Sequence, residues 1–304
     1  MENSVLVIGG TGYLGGKVID ELLRRGVKVS AMVRQGSNAK VLESKGVHII
    51  TGDLTKPETL VPALKNIDAV ISTANGYSLR KKGDSLKSVD DTGNRNLVDA
   101  LKQSKVRRFV FTSILTADKA VNVPHFWQKK LIEDYMDEKA VPYVSLRPGA
   151  FLDQNPQRDQ TATDLKQGKL KAFGNTSVKW TNILTEDLAR YLAVAAIDEK
   201  IPAGKIDIGM AEPINAEMMA KYATEYTGKP IKVSVVPWFV MGLALSVIRL
   251  FKPFMSDVKE MFAYFLTGQY VADTTLQKKY FGDVPTVKDS LFRYFKQIGL
   301  PKKV

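Results

Sequence analysis

The chain of 304 residues contains no cysteine, which excludes disulfides, zinc thiolate sites and cysteine nucleophiles. Its only histidines are His48 and His125, too few for a multi-histidine cluster, so no metal is expected. Lys/Arg runs interleaved with aromatics are missing, as is any zinc-finger spacing, so a nucleic-acid partner is not expected. Internal repeats and low-complexity tracts are absent. The first residues, Met1-Glu2-Asn3-Ser4, carry no basic region ahead of an apolar stretch. No secretory signal is therefore expected and the chain reads as cytoplasmic, with an organelle stroma open if a transit peptide has been removed.

What is present is a globular composition with an excess of basic residues. The length suits one large α/β domain and a smaller appended region sharing a cleft. The formal net charge of +12 favours anionic partners such as phosphorylated cofactors or anionic lipid surfaces.

Apolar runs of strand length alternate with helical periods through the first half: Val5 to Ile8, Val27 to Val33, Val47 to Ile50, Ala69 to Ser72, Phe109 to Phe111 and Tyr143 to Leu146. Such alternation predicts the α/β class, a doubly wound parallel sheet with right-handed crossovers. After about residue 150 the rhythm changes. A helix is expected from Thr185 to Ile197, a strand from Lys205 to Ile208 and a helix from Asn215 to Tyr226. The expected division is 1–150, a Rossmann domain, and 151–304, a smaller, mainly helical substrate region, with returns to the sheet around 178–210. Ligands of this fold sit outside the carboxyl ends of the strands.

The first strand runs into Gly9-Gly10-Thr11-Gly12-Tyr13-Leu14-Gly15, followed by an amphipathic helix expected from Lys17 to Arg25. Gly9 and Gly10 permit a tight turn, Gly12 lets the backbone approach a pyrophosphate, and Gly15 allows close packing of helix on strand. The helix N-terminus offers free N–H donors and a positive dipole to the phosphates. A dinucleotide is therefore the expected cofactor, held by Gly9, Thr11, Gly12, Tyr13, Leu14 and Gly15. The end of the second strand chooses which one. It reads Val33-Arg34-Gln35-Gly36-Ser37-Asn38-Ala39-Lys40, with no acid to take a ribose 2′-hydroxyl. Arg34 can hold a 2′-phosphate bidentately, with Ser37 and Lys40 in reach, which points to NADPH/NADP. The other reading makes Arg34 a surface arginine opening the next helix.

With these residues the chain resembles the short-chain dehydrogenase/reductase superfamily, in its atypical NmrA-like and isoflavone-reductase-like branch. The likeness extends to Gly52-Asp53-Leu54, Ser72-Thr73-Ala74-Asn75-Gly76, Phe111-Thr112-Ser113 and Leu146-Arg147-Pro148-Gly149, each at a strand end. The resemblance implies that Asp53 and Leu54 border the adenine and that Thr73, Ala74, Asn75, Thr112, Ser113, Lys129, Pro148 and Gly149 line the cofactor. Asp53 as a plain turn residue is the other reading.

The superfamily's Tyr-x-x-x-Lys pair would fall on Pro124-His125-Phe126-Trp127-Gln128-Lys129, where Lys129 matches the lysine and His125 stands at the tyrosine. The serine position is Ser113 or Ile114. Residues four apart share a helix face, so His125 and Lys129 should project together. Reduction of a carbonyl or conjugated alkene leaves negative charge on oxygen, which a lysine can stabilise or protonate. The resemblance implies that Lys129 serves in this way, with His125 as the second catalytic candidate. The expected activity is an NADPH-dependent reduction of an apolar carbonyl, enone or quinone-type small molecule, bound between the strand ends and the 150–165 and 235–265 regions.

The most apolar stretch, Val235 to Phe254, is too short and too broken by Pro237, Arg249 and Lys252 to span a bilayer. It reads either as a helix lining the substrate cleft or as an interfacial helix on an anionic membrane, and the cleft is the favoured reading. The C-terminal pattern also looks similar to the reductase-like photosystem assembly factors of cyanobacteria and plastids. That likeness implies an alternative, a non-catalytic NADPH-binding redox sensor or assembly and scaffold protein.

Overall fold

Short apolar runs with no polar alternation persist as strands only where both faces of a sheet are covered. The first half of the chain builds such a sheet. The computed structural model describes residues 4–76, 83–153, 159–251 and 254–303. Met1 to Asn3, part of the 150–165 region and Lys252 lie outside the described residues.

The chain divides into two units: Met1–Asp118, His125–Arg147 and Glu186–Ile206 form the first, and Lys119–Pro124, Pro148–Thr185 and Asp207–Val304 the second. In chain order the strands of the main sheet are β1 (Ser4–Ile8), β2 (Lys28–Val33), β3 (His48–Thr51), β4 (Ala69–Ser72), β5 (Arg108–Thr112), β6 (Tyr143–Pro148) and, from the later chain, β10 (Gly204–Ile208). They lie in the order β10-β6-β5-β4-β1-β2-β3, and every pair from β3 to β6 is parallel. The strand order reverses between β1 and β4, where this fold opens its ligand crevice.

The connecting helices are α1 (Tyr13–Arg24), α2 (Lys40–Glu43), α3 (Leu60–Ala63), α4 (Asn94–Lys102), α5 (Pro124–Glu138) and α7 (Thr185–Ile197). α1 begins four residues earlier than the amphipathic pattern suggests, because Gly12 serves as its N-cap. Apolar spacing marks only the buried face, Val18, Ile19 and Leu22, and is blind to the first turn over the glycine loop. A π-helical segment, Leu86–Gly93, runs into α4 and is started by Ser85, whose hydroxyl accepts the Ser88 N–H. Leu6, Val70, Leu97, Phe109, Phe111 and Ile132 form the heart of this unit's core. Each such side chain, taken out of water, contributes about 1.5–3 kcal/mol.

The second unit contains strands as well as helices: β7 (Ala150–Phe151) pairs with β9 (Asn182–Ile183), and β8 (Lys169–Phe173) pairs with β11 (Lys232–Val236), both in parallel. Its helices are α6 (Gln160–Lys166), α8 (Ala216–Thr227), α9 (Trp238–Ile248), α10 (Met255–Leu266), α11 (Thr275–Phe281) and α12 (Val287–Gln297). Asn215 caps α8 by accepting the Met218 N–H, and Gly228 ends it in the left-handed conformation. This unit has its own core around Leu170, Ala223, Leu291, Tyr294 and Phe295. No helix among the described residues is long and apolar enough to cross a membrane.

Candidate functional site

The glycine loop is shaped by two contacts that tolerate no side chain. Gly9 takes φ +87°, and a Cβ there would lie 2.7 Å from Thr73 Oγ1. A Cβ on Gly15 would lie 2.2 Å from the Gly9 carbonyl oxygen, so α1 can seat itself against the loop only through glycine. Thr73 is fixed in turn, because its N–H and hydroxyl both donate to the Ile8 carbonyl. The carboxyl ends of β1 and β4 are thereby tied together. A Cβ on Gly12 would lie 3.2 Å from the Gly9 oxygen and, beyond its chain neighbours, near no other atom of the described residues. Thr11 and Asn75 are exposed, while Tyr13, Leu14 and Ala74 are half-buried beside the loop.

At the ends of β2 and β3 a cavity of about 460 Å³ is lined by Arg34, Ser37, Lys40 and Thr51 among others. The three residues expected at a 2′-phosphate are thus brought to one hollow. Arg34 already has a partner there. Its Nη1 donates to Asp84 Oδ1 at 2.7 Å and its Nη2 to Asp84 Oδ2 at 3.2 Å. This fork holds the guanidinium above its ordinary pKa. Asp53 Oδ1 accepts the N–H and hydroxyl of Thr55 two residues on, an Asx turn. Leu54 is buried behind it.

The ends of β4 and β5 carry buried hydroxyls with no hydrogen-bond partner among the described residues: Ser72, Thr112 and Ser113. Thr116, just beyond, holds φ +55° with a β-branched side chain, a strained conformation of the kind that gathers at functional sites.

Lys129 approaches from α5. Its side chain is only 12% exposed, its Nζ lies 3.7 Å from Asp90 Oδ1 and 4.9 Å from the centre of the Phe111 ring. Burial pushes the Lys129 ammonium below the usual lysine range, and the Asp90 carboxylate opposes that shift. Asp90 sits on the π-helical segment, is 2% exposed, and accepts the Gly76 N–H at 2.8 Å through its other oxygen. One carboxylate therefore joins the loop after β4 to the lysine of α5. Sequence reading missed Asp90 and Asp84, since each acts on a residue about forty to fifty positions away and nothing local marks either.

His125 lies one turn before Lys129 on α5, half-buried, with its ring edge-on to Phe126 at 4.6 Å. One turn after Lys129 the fully buried Glu133 accepts from Ser145 Oγ and from Arg147, whose Nη1 also meets Asp118 at 3.2 Å. Arg147 in the Leu-Arg-Pro-Gly motif is thus the counter-charge of Glu133. Pro148 and Gly149 belong to the second unit, where Tyr270 donates to the Pro148 carbonyl and a Cβ on Gly149 would meet the Thr181 oxygen at 2.6 Å. A hollow of about 220 Å³ beside Phe109 and Pro142 lies at the amino ends of β5 and β6, away from all of these groups.

The residues present fit a dinucleotide. The loop at Gly12 is open, α1 directs its first N–H groups there, Arg34 stands at the end of β2, and the hydroxyls of Ser72, Thr112 and Ser113 await partners. Among the described residues no group of acids and histidines is placed to hold a metal.

Comparison with known proteins places these features in context. The profile of the NmrA-like family matches residues 1–279. The photosystem II assembly factor Ycf39 of Trieres chinensis is 29% identical over 271 residues, covering 89% of this chain and 79% of that protein. Among solved structures, Citrobacter sp. triphenylmethane reductase complexed with NADP(H) matches at TM-score 0.78 and 20% identity, over 95% of this chain and 99% of that one. The NADPH-dependent quinone oxidoreductase QOR2 of Escherichia coli, complexed with NADPH, matches at TM-score 0.77 and 19% identity, over 96% and 99%.

Proposed function

The chain belongs to the NmrA-like family, and on that footing we propose that it binds NADP(H) and reduces an apolar carbonyl, enone or quinone-type molecule. The observation that carries the reading is Lys129, a buried ammonium held beside Asp90 and the Phe111 ring at the carboxyl end of β5. Gly9 to Gly15 would hold the pyrophosphate on the N-terminus of α1, and Arg34, Ser37 and Lys40 the 2′-phosphate. Thr73, Ala74, Asn75, Thr112 and Ser113 would border the rest of the cofactor. Bound NADPH supplies a hydride.

The chain's own contribution is charge and a proton. An acceptor that takes hydride gains negative charge on oxygen, and an ammonium in a site with little water stabilises that charge far better than one in solvent. Lys129, its pKa lowered by burial, can also release its proton to that oxygen, since a smaller proton affinity makes it a stronger acid. Asp90 keeps the ammonium in place and charged before the substrate enters. His125, one turn earlier on the same helix, is the second candidate donor.

The fold of the two solved reductases supports this reading, as does the lowered pKa of Lys129. One observation favours a second reading, NADP(H) binding without turnover in an assembly role: the 29% identity to Ycf39 across most of the chain. NADPH oxidation against quinones, enones and aromatic aldehydes, together with an NADPH titration, separates the two. Turnover lost in Lys129→Met while NADPH still binds supports the reductase. Tight NADPH binding with no turnover on any acceptor favours the assembly reading.

A further inference from the structure

α9 is a helix turned inside out. Its inner face buries Met241, Gly242 and Leu245. The opposite face carries Phe239 at 75% exposure, Leu243 at 68% and Val247 at 51%, spaced four apart so that they form one stripe. The stripe continues past the helix end through Leu250 at 74% and Phe251 at 82%. Most soluble proteins leave large apolar side chains exposed singly, and a continuous stripe marks a surface that is covered in use. Eleven residues of helix reach about 16 Å, about half a bilayer core, so α9 can lie along a membrane surface but not cross it.

The charge of the segment that carries the stripe selects the occupant. From Tyr226 to Ser256 the sequence has no Asp or Glu, while it has Lys229, Lys232, Arg249 and Lys252. Lys229, Lys232 and Arg249 are exposed. An apolar face that ends at an exposed cation, Arg249, in a segment without acids matches a layer of acyl chains beneath anionic headgroups.

We infer that the α9 face is a membrane-docking surface that seats this chain peripherally on bilayers containing anionic lipid. Phe239, Leu243 and Phe251 enter the acyl boundary, and Arg249 meets the phosphates. The inference is independent of the NADP(H) reading.

The test is flotation of the whole protein with vesicles of phosphatidylcholine alone and with vesicles carrying roughly one-third phosphatidylglycerol. The expected result is partition into the anionic vesicles, weakened by added salt and reduced at least about tenfold in Phe239→Ser/Leu243→Ser. In Phe239→Trp, a substitution at an exposed position of the stripe, brominated lipid in anionic vesicles should quench the added tryptophan fluorescence, and no added quenching would overturn the inference. This readout stands even if the double variant folds poorly. No partition into anionic vesicles overturns the inference, and so does equal partition into both kinds. A protein that ignores vesicles but forms a dimer dispersed by Phe239→Ser/Leu243→Ser assigns the face to a second copy and overturns it as well.

Discussion

The Asp90 carboxylate faces the Lys129 ammonium at 3.7 Å, and its second oxygen accepts the Gly76 N–H, so one acid ties a strand-end loop to a buried lysine. Both charges are largely removed from water. Each makes the other tolerable, because an unpaired charge in such a place would cost several kcal/mol.

The first consequence is in pH dependence. Lys129 loses its proton below the ordinary lysine range, so the activity should fall on its basic side earlier than a solvated lysine would allow. Asp90→Asn removes the opposing charge and should move that limb to still lower pH, whereas Lys129→Met should abolish it. An unchanged pH profile of kcat/KM in Asp90→Asn would show that the pair does not act in this way.

The same shift has a sign for stability. With the folded pKa below the unfolded one, the unfolded chain binds more protons in that interval, and stability rises as pH increases through it. Lys129→Met should flatten this slope in urea melts taken at a series of alkaline pH values. A slope as steep as before would place the titration elsewhere.

Arg34 and Asp84 make the second relationship with a measurable outcome. Arg34→Ala should weaken NADPH by about tenfold or more with little effect on NADH, since the guanidinium that meets Asp84 would no longer be there for a 2′-phosphate. Asp84→Asn should act in the opposite sense, since the carboxylate competes for the same guanidinium and repels a 2′-phosphate. Titration of both nucleotides into both variants decides it, and an unaltered NADPH to NADH ratio in Arg34→Ala removes the assignment.

Gly15→Ala should damage the loop, as its methyl would meet the Gly9 carbonyl oxygen at 2.2 Å. Forcing atoms into a packed contact of this kind costs about 1–3 kcal/mol, readable as a lower denaturant midpoint. Nucleotide binding should weaken with it. An alanine variant as stable as the parent would mean that α1 is free to move off the loop.

Glu133→Gln should destabilise the fold by about 3 kcal/mol, because it removes the buried carboxylate that accepts from both Ser145 and Arg147. Equilibrium urea unfolding measures this. A change well under that figure would show that the other partners of Arg147, Asp118 among them, hold it without Glu133.

The part of the candidate site on the first unit that the sequence marks is the part whose signals are local. Gly9 to Gly15 follow one another across a strand, a turn and a helix start, and Arg34 stands directly after its strand. Lys129 emerged only through resemblance, on a helix whose own pattern says little. Asp90 and Asp84 left no such trace. Their partners lie on other elements, and an acid in a polar segment looks the same whether it meets water or a lysine.

By itself the sequence determined the doubly wound sheet, since apolar strands of four to six residues spaced by helical periods can bury both faces in hardly any other way. It also determined the glycine loop, because backbone conformation and close approach are set residue by residue. Tertiary structure alone decided that Arg34 meets Asp84, that Asp90 meets Lys129, and that the apolar stripe of α9 is exposed. These depend on which surfaces meet across long stretches of chain. Periodicity tells that α9 is apolar throughout, but only packing tells which side Met241 and Leu245 take and so which side Phe239 and Leu243 are left to show.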